Sequence, residues 1–424
     1  MVMKKKLALL MACIMVIGSL VACGSNGGTQ TDTSSTEESP TEASSGDRIE
    51  ISFWHYMAGT EGDFLSSAVE EFNNMQDEIW VTEQFLPREE LMKQYTIGVV
   101  SGELPDVGMV DNPDHNAYAM MGIFEELSDL YDSWDGAKFL DGPLNSCMYD
   151  GGLYGLPWTS NCLGLFYNEE MLEAAGVEVP TTWSELEAAA EILTTDAVHG
   201  LAISAIGNEE GTFQYIPWLL SSGGSVMEMD SEKSKESMSY LYNLIEKGYV
   251  SREVINWTQA DAQKQFASGQ AAMMINGPWQ LGNMAVDAPD LVYGVGKVPK
   301  ADDGDYASVL GGENIGICAG ANVEASWEFL SWLAGKEKSE ELCITAGYFS
   351  PRTDVDPNEI FADDPLRATF AEVMPSAQPR GPSPDWPEIS TVIYTAQQEV
   401  FTGQKDVETA LNEAQVKIDA INAN

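Results

Sequence analysis

Residues 48–112 read RIEISFWHYMAGTEGDFLSSAVEEFNNMQDEIWVTEQFLPREELMKQYTIGVVSGELPDVGMVDN. Ile49, Ile51 and Phe53 alternate with other residues, the period of a strand over Arg48 to Trp54. A glycine-containing loop from His55 to Gly62 follows. Phe64, Leu65, Ala68, Val69 and Phe72 then recur at helical spacing and predict a helix over Phe64 to Asn74. Ile79 to Phe85 reads as a second strand, and Glu89 to Ser101 as a second helix stopped by Gly102. Asp106 to Val110 is a third strand that opens onto Asp111, Asn112 and Pro113. Strands alternating with helices at this interval predict a mainly parallel α/β sheet. Ligands bind such sheets beyond the carboxyl ends of the strands, so the loops after them are the places to search.

Further along, Glu169 to Ala175 reads as a helix closed by Gly176. Thr182 and Glu185 have capping-box spacing at the start of another, with Leu186, Ala189, Ala190 and Leu193 as its apolar stripe. Helices are also predicted over Ser234 to Lys247, Asp261 to Ser268, Glu324 to Leu333 and Val407 to Ile421. Ala271 to Ile275 is a strand ending at Asn276-Gly277-Pro278-Trp279. Pro351 to Pro387 is dense in proline and predicts loops and short helices.

Toward the N-terminus, Lys4, Lys5 and Lys6 precede an apolar run from Leu7 to Leu20 that is short for a bilayer span. Leu20-Val21-Ala22-Cys23 resembles the lipobox of bacterial lipoproteins. That resemblance implies a signal peptide over residues 1–22 and a lipid on Cys23. Gly24 to Gly46, rich in Ser, Thr, Gly and Glu, lacks the apolar residues needed to fold. Residues 23–47 therefore read as a lipidated cysteine and a flexible linker. The formal net charge is -46, and removal of three signal-peptide lysines makes the remainder more negative still. A surface of that sign repels nucleic acid and anionic lipid. Residues 48–424 are enough for two cores, since single cores stop growing at about 250–300 residues. Cys147, Cys162, Cys318 and Cys343 remain after the signal peptide and Cys23. Cys147 and Cys162 flank a predicted hairpin at Asp150-Gly151-Gly152, so either a disulfide or buried thiols fit the sequence.

Several segments in order resemble the extracytoplasmic sugar-binding proteins of bacterial ABC transporters, the maltodextrin-binding type of solute-binding family 1. They are Ile51-Ser52-Phe53-Trp54-His55, Leu104-Pro105-Asp106-Val107, Tyr154-Gly155-Leu156-Pro157 with Leu165-Phe166-Tyr167-Asn168, and Pro180-Thr181-Thr182-Trp183-Ser184-Glu185-Leu186. Phe266 to Trp279, FASGQAAMMINGPW, is the most specific, and Gly311 to Ile317 completes the set. The resemblance implies an α/β, two-lobe periplasmic-binding-protein-like fold of type II with three crossovers between lobes. These would lie near Trp158–Asn161, Val309–Gly312 and Tyr348–Arg352. Lobe 1 would be 48–158 plus 313–348, and lobe 2 would be 161–310 plus 352–424. It implies a lipid-anchored protein at the outer face of the cell membrane that passes a carbohydrate, an oligosaccharide, to an ABC permease.

A sugar presents hydroxyls at its rim and C–H faces above and below, so its cleft needs aromatic plates and polar side chains. Trp279 is the leading plate, because it follows a strand and a Gly-Pro turn and the resemblance places its counterpart in the sugar cleft. Trp54, His55, Trp158, Phe213, Tyr215 and Trp386 are further candidates, with core packing as the competing role. Trp218 is also read as lying in a loop or at a strand end. For the rim, Glu61, Asp111, Asn112, Asn276 and Glu313 sit in loops or turns. Arg352 either touches ligand or pins the hinge, and Arg380 is its alternative. The scarcity of arginine near these loops argues against an anionic solute.

The H-E-x-x-H, G-x-S-x-G and phosphate-loop patterns are absent from the sequence. His55, His115 and His199 are too scattered for a metal site. The expectation is a binding protein, not an enzyme, with no cofactor, no metal and no nucleic acid. It would be monomeric and touch membrane by its lipid alone. The rivals are the same scaffold with a non-sugar solute such as a quaternary amine, a surface glycoside hydrolase or lyase, and an adhesin.

Overall fold

The computed structural model describes residues 48–380 and 383–423. The expected signal peptide, the lipid expected on Cys23 and the expected linker to residue 47 fall outside the described residues. Among the described residues thirteen strands occur in chain order: β1 (Ile49–His55), β2 (Ile79–Phe85), β3 (Val107–Asp111), β4 (Met148–Tyr149), β5 (Gly152–Leu153), β6 (Leu156–Pro157), β7 (Gly164–Asn168), β8 (His199–Ala202), β9 (Ala271–Asn276), β10 (Tyr293–Gly296), β11 (Ser308–Leu310), β12 (Glu313–Ile317) and β13 (Ala377–Pro379).

Two sheets organise the chain. The first has the order β2-β1-β3-β12-β6 and the second β10-β7-β9-β8. β1 is parallel to β2 and β3, while β12 runs antiparallel to β3. In the second sheet β8 and β9 are parallel, and β7 is antiparallel to β9 and β10. The predicted parallel alternation therefore holds for the opening βαβα segment, and returning strands supply the antiparallel pairs.

Period-2 alternation explains why each sheet carries a layer on both faces. Ile51, Phe53, Val81 and Ile315 join one cluster, while Trp54 and Val110 join the cluster on the opposite face. Met273 and Ile275 of β9 face Leu165, Leu186 and Trp218, whereas Met274 faces Phe166, Phe266 and Phe370. Burial on both faces makes β3, β9 and β12 continuously buried.

Local signals place the helices. Thr182 and Glu185 form the capping box that opens the helix Trp183–Leu193. Thr258 and Asp261 form a second one at Gln259–Ala267. Gly102 and Gly176 close their helices in the left-handed conformation. The helices Glu209–Ser221 and Trp386–Phe401 correct the reading of Trp218 and Trp386 as loop residues. The first contains Pro217 and the second has Pro387 in its first turn, so proline signals obscured both.

Three connections between the sheets lie side by side. Ser160 and Phe349 exchange backbone hydrogen bonds at 2.7 and 2.8 Å, and Asn161 and Gly311 do so at 3.0 and 2.9 Å. Gly312 follows with φ at 140°, and a Cβ there would sit 2.2 Å from the Thr159 carbonyl oxygen.

The four cysteines carry free, buried thiols. The turn at Asp150 and Gly151 does make the β4–β5 hairpin. Cys147 packs in the first sheet's cluster and Cys162 in the second's, which is why they do not pair.

Gly312→Ala should lower unfolding stability by about 2 kcal/mol or more, through positive φ and collision with backbone. Urea denaturation measures it, and a variant as stable as the parent would show that this connection tolerates a side chain.

Candidate functional site

A cavity of about 590 Å³ opens beyond the carboxyl ends of β1, β3 and β9. Tyr56, Glu61, Asp111, Glu313 and Tyr348 approach it from the first sheet's side. Glu209, Phe213, Gln259, Trp279, Asn283 and Arg380 approach it from the second's.

The apolar wall is built on Trp279, which packs against the clusters of both sheets. Its ring is stacked on Tyr348 at 6.4 Å and 22°, and lies 6.2 Å from Phe213 at 43°. Asn276 holds the strand end that delivers it. Its Nδ2 donates to the Gln259 carbonyl at 2.9 Å, and its Oδ1 accepts from the Gly277 N–H at 3.1 Å.

One polar region is a buried ion network. Arg380 donates to both Asp111 oxygens at 2.7 and 2.9 Å, to Glu209 Oε1 at 2.6 Å and to Asn112 Oδ1 at 3.3 Å. Its guanidinium lies 4.5 Å over the Phe213 ring. Arg88 donates to Asp111 and Asp114, each at 3.0 Å. Burial alone would lower the pKa of both guanidiniums, but the carboxylates outweigh it and hold both above the usual arginine range. Trp386 Nε1 donates to Glu209 Oε1 at 3.2 Å, and the Ser390 hydroxyl donates to the other Glu209 oxygen.

Two further acids line the cavity without an ion pair among the described residues. Glu61 sits in the first turn of the helix Thr60–Met75 and is 5 % exposed. Burial pushes its carboxyl up to about 7, against its own backbone amide and the Thr60 hydroxyl. Glu313, at the start of β12, accepts from the Thr159 hydroxyl. Burial, then the charge of Asp111, pushes it up to about 7 as well. The Tyr56 hydroxyl is buried with no hydrogen-bond partner. Burial, then Glu313, raises the Tyr56 and Tyr348 phenols well above their usual range.

Of the sequence candidates, Glu61, Asp111, Phe213, Trp279 and Glu313 line this cavity, and so does the alternative, Arg380. Asn112 stands behind it, engaged with Arg380. Trp54 stacks on Tyr95, and His55 faces Glu83 at 3.3 Å, both outside the lining. Trp158 and Tyr215 are core residues, the latter with its hydroxyl 2.8 Å from Ser237 Oγ. Asn276 and Trp386 are buried and act through their hydrogen bonds. Arg352 pairs with Asp354 at 2.8 and 3.0 Å and donates to the Ala334 carbonyl at 2.9 Å, beside a separate cavity of about 340 Å³. Arginine is not scarce here, which corrects the sequence argument, since Arg88 and Arg380 both line the cavity. Their terminal nitrogens face acids, so they do not make it cationic.

Tyr56, Arg88, Glu209 and Tyr348 escaped the sequence reading. Tyr56 directly follows β1, and Asn208 caps the helix on which Glu209 stands, so strand-end and cap positions were the available signals. Among the described residues no group of His, Cys, Asp and Glu could hold a metal ion, and no helix is long and apolar enough to cross a membrane.

Residues 67–369 match the family model described as bacterial extracellular solute-binding protein. The fold is similar to an ABC transporter solute-binding protein from Thermotoga lettingae bound with α-D-tagatose. The TM-score is 0.82 at 26 % identity, covering 88 % of this chain and 99 % of that one. Maltose-bound MalE3 of T. maritima matches with a TM-score of 0.80 at 25 % identity, over 88 % and 100 % of the two chains. A maltooligosaccharide ABC transporter solute-binding lipoprotein of Streptococcus pneumoniae is 26 % identical over 74 % of this chain and 75 % of its own length.

Glu61 and Glu313 hold protons in the fold over a range where their unfolded counterparts, near 4.5, have lost them. Their contribution to stability is full below about 4.5 and is lost as the pH rises through about 7. Urea midpoints at about pH 5 and about pH 8 should fall further apart in the parent than in a Glu61→Gln/Glu313→Gln variant. Equal separation would mean that neither carboxyl takes up a proton on folding.

Proposed function

We propose, since the chain belongs to the bacterial extracellular solute-binding protein family, that it captures an oligosaccharide in this cavity and delivers it unaltered to an ABC importer. The observation that carries the reading is the Trp279 plate, stacked on Tyr348 within a cavity otherwise rich in carboxylates and amides. An indole covers the C–H face of a pyranose, and the surrounding acceptors meet its hydroxyls. A buried acceptor left unpaired penalises a ligand that lacks the matching hydroxyl, which gives selectivity. The maltose, maltooligosaccharide and tagatose named for similar proteins support a carbohydrate as the solute.

The two sheet-centred halves are the moving bodies in this proposal, residues 48–158 plus 313–348 and residues 161–310 plus 352–424. Three paired connections at Ser160, Gly311 and Phe349 give a small set of backbone positions about which they rotate. Trp279 and Arg380 each touch residues of both halves, so ligand contacts there favour the closed form. A solute shifts that balance only by its extra affinity for the closed state, and the permease recognises that state. A lipid on Cys23 and the flexible linker would hold the monomer at the outer face of the membrane.

Trp279→Ala should weaken binding of neutral oligosaccharides at least about tenfold while leaving the circular dichroism spectrum unchanged. Calorimetric titration against maltose-, cellobiose-, mannobiose- and galactobiose-series sugars, with chromatography of the recovered sugar, tests it. Stoichiometric binding and intact sugar are expected. Released product would identify a hydrolase, and parental affinity in the variant would remove Trp279 from the site.

A further inference from the structure

The polar groups of the cavity divide by what they still lack. Glu61, Asp111, Glu209, Glu210, Asp287 and Glu313 line it against Arg88, Lys264 and Arg380. The terminal nitrogens of Arg380 are engaged by Asp111, Glu209 and Asn112, and Arg88 faces Asp111 and Asp114. Lys264 stands at the rim, 3.3 Å from Asp261. Among the described residues neither Glu61 nor Glu313 makes an ion pair, and the charge of Arg380 that reaches Glu313 does not outweigh its burial and the charge of Asp111. Each is more than nine-tenths buried, the charge of Glu61 acts on Glu313, and both act on Tyr348.

The neighbouring groups add acceptors. Asn283 uses its Nδ2 on Gln280 Oε1 at 3.1 Å, which leaves Oδ1 as a free acceptor. That oxygen and Glu61 Oε2 flank Gly59, 3.2 and 3.7 Å from where a Cβ would stand, so the missing side chain keeps the space between them open. Asp287 accepts from Gln263 Nε2 at 3.2 Å on the same wall. Tyr56, Trp279 and Tyr348 supply aromatic rings around this end. Buried carboxylates without a counter-charge are costly, and aromatic faces attract cations. A sugar hydroxyl brings one donor and also needs one, while an ammonium brings three donors, needs none and carries the missing charge.

We propose that Glu61 and Glu313 form an ammonium-binding subsite, and that the preferred solute is an oligosaccharide bearing a free amino group. This deepens the carbohydrate reading and rests on it. The amine enters at the Gly59 side, between the two carboxylates, while a neighbouring ring lies on Trp279.

Calorimetry on the folded chain with matched sugars tests the subsite without any variant. The probes are glucosamine, galactosamine and mannosamine oligomers, each paired with its N-acetylated and its unsubstituted counterpart. In at least one series the free amine should bind about tenfold or more tightly than both neutral partners, the worth of a charge-assisted hydrogen bond. Glu61→Gln and Glu313→Gln, checked for native melting, should each erase that preference. Neutral sugars binding as well as or better than the amines would overturn the subsite and leave the carbohydrate reading standing. Preference retained in both variants would assign the amine elsewhere and overturn it too. Binding of no sugar in any series would overturn the carbohydrate reading, and the subsite with it.

Discussion

Arg380 is the group on which the arrangement of the cavity depends. With a side chain 2 % exposed, its guanidinium has given up nearly all of its water. It recovers that loss from Asp111 at the end of β3 and Glu209 on the helix Glu209–Ser221. Those partners belong to opposite sides of the cavity, so one buried cation ties the two sides together. Leaving either carboxylate without its partner strands a buried charge, which costs about 3–5 kcal/mol. The same guanidinium lies on Phe213, whose ring stands beside Trp279. Charge pairing and the aromatic wall are thus set by one side chain, delivered by β13 through its parallel pairing with β11.

Two further acids of the cavity have the reverse character. Glu61 and Glu313 are about as buried as Arg380 but make no ion pair among the described residues, and burial holds their carboxyls partly protonated near neutrality. One cavity therefore contains a satisfied ion network and an unsatisfied acidic corner. The first gives a fixed frame, and the second is where a ligand gains most by bringing donors. Trp279, on the same cavity wall, packs on both cores.

Much of the fold was legible because local signals agree with tertiary packing. Thr182 with Glu185, Gly102 and Gly176 mark helix ends wherever they occur, and Ile51 and Phe53 alternate because one face of β1 is buried. The helix Glu209–Ser221 was not legible, since Pro217 signals a break and only surrounding contacts hold the helix through it. The site was legible in part. A strand end announces that its next residues reach a cleft, which located Asp111 and Trp279, while Glu313 was located by its turn. It does not announce which side of the backbone faces the cleft, so Trp158 and Asn276 looked equivalent and turned inward.

The sequence by itself determined the α/β alternation, the strand ends, the family resemblance and the place of Trp279 after a strand end, because each is written in neighbouring residues. Only the tertiary structure decided that Arg380 meets Asp111 and Glu209, that Tyr56 and Tyr348 join the wall, and that Glu61 and Glu313 line the same cavity without an ion pair among the described residues. Those facts are distances between residues far apart along the chain, and burial, which sets the charge each group can carry, exists only once the chain has folded.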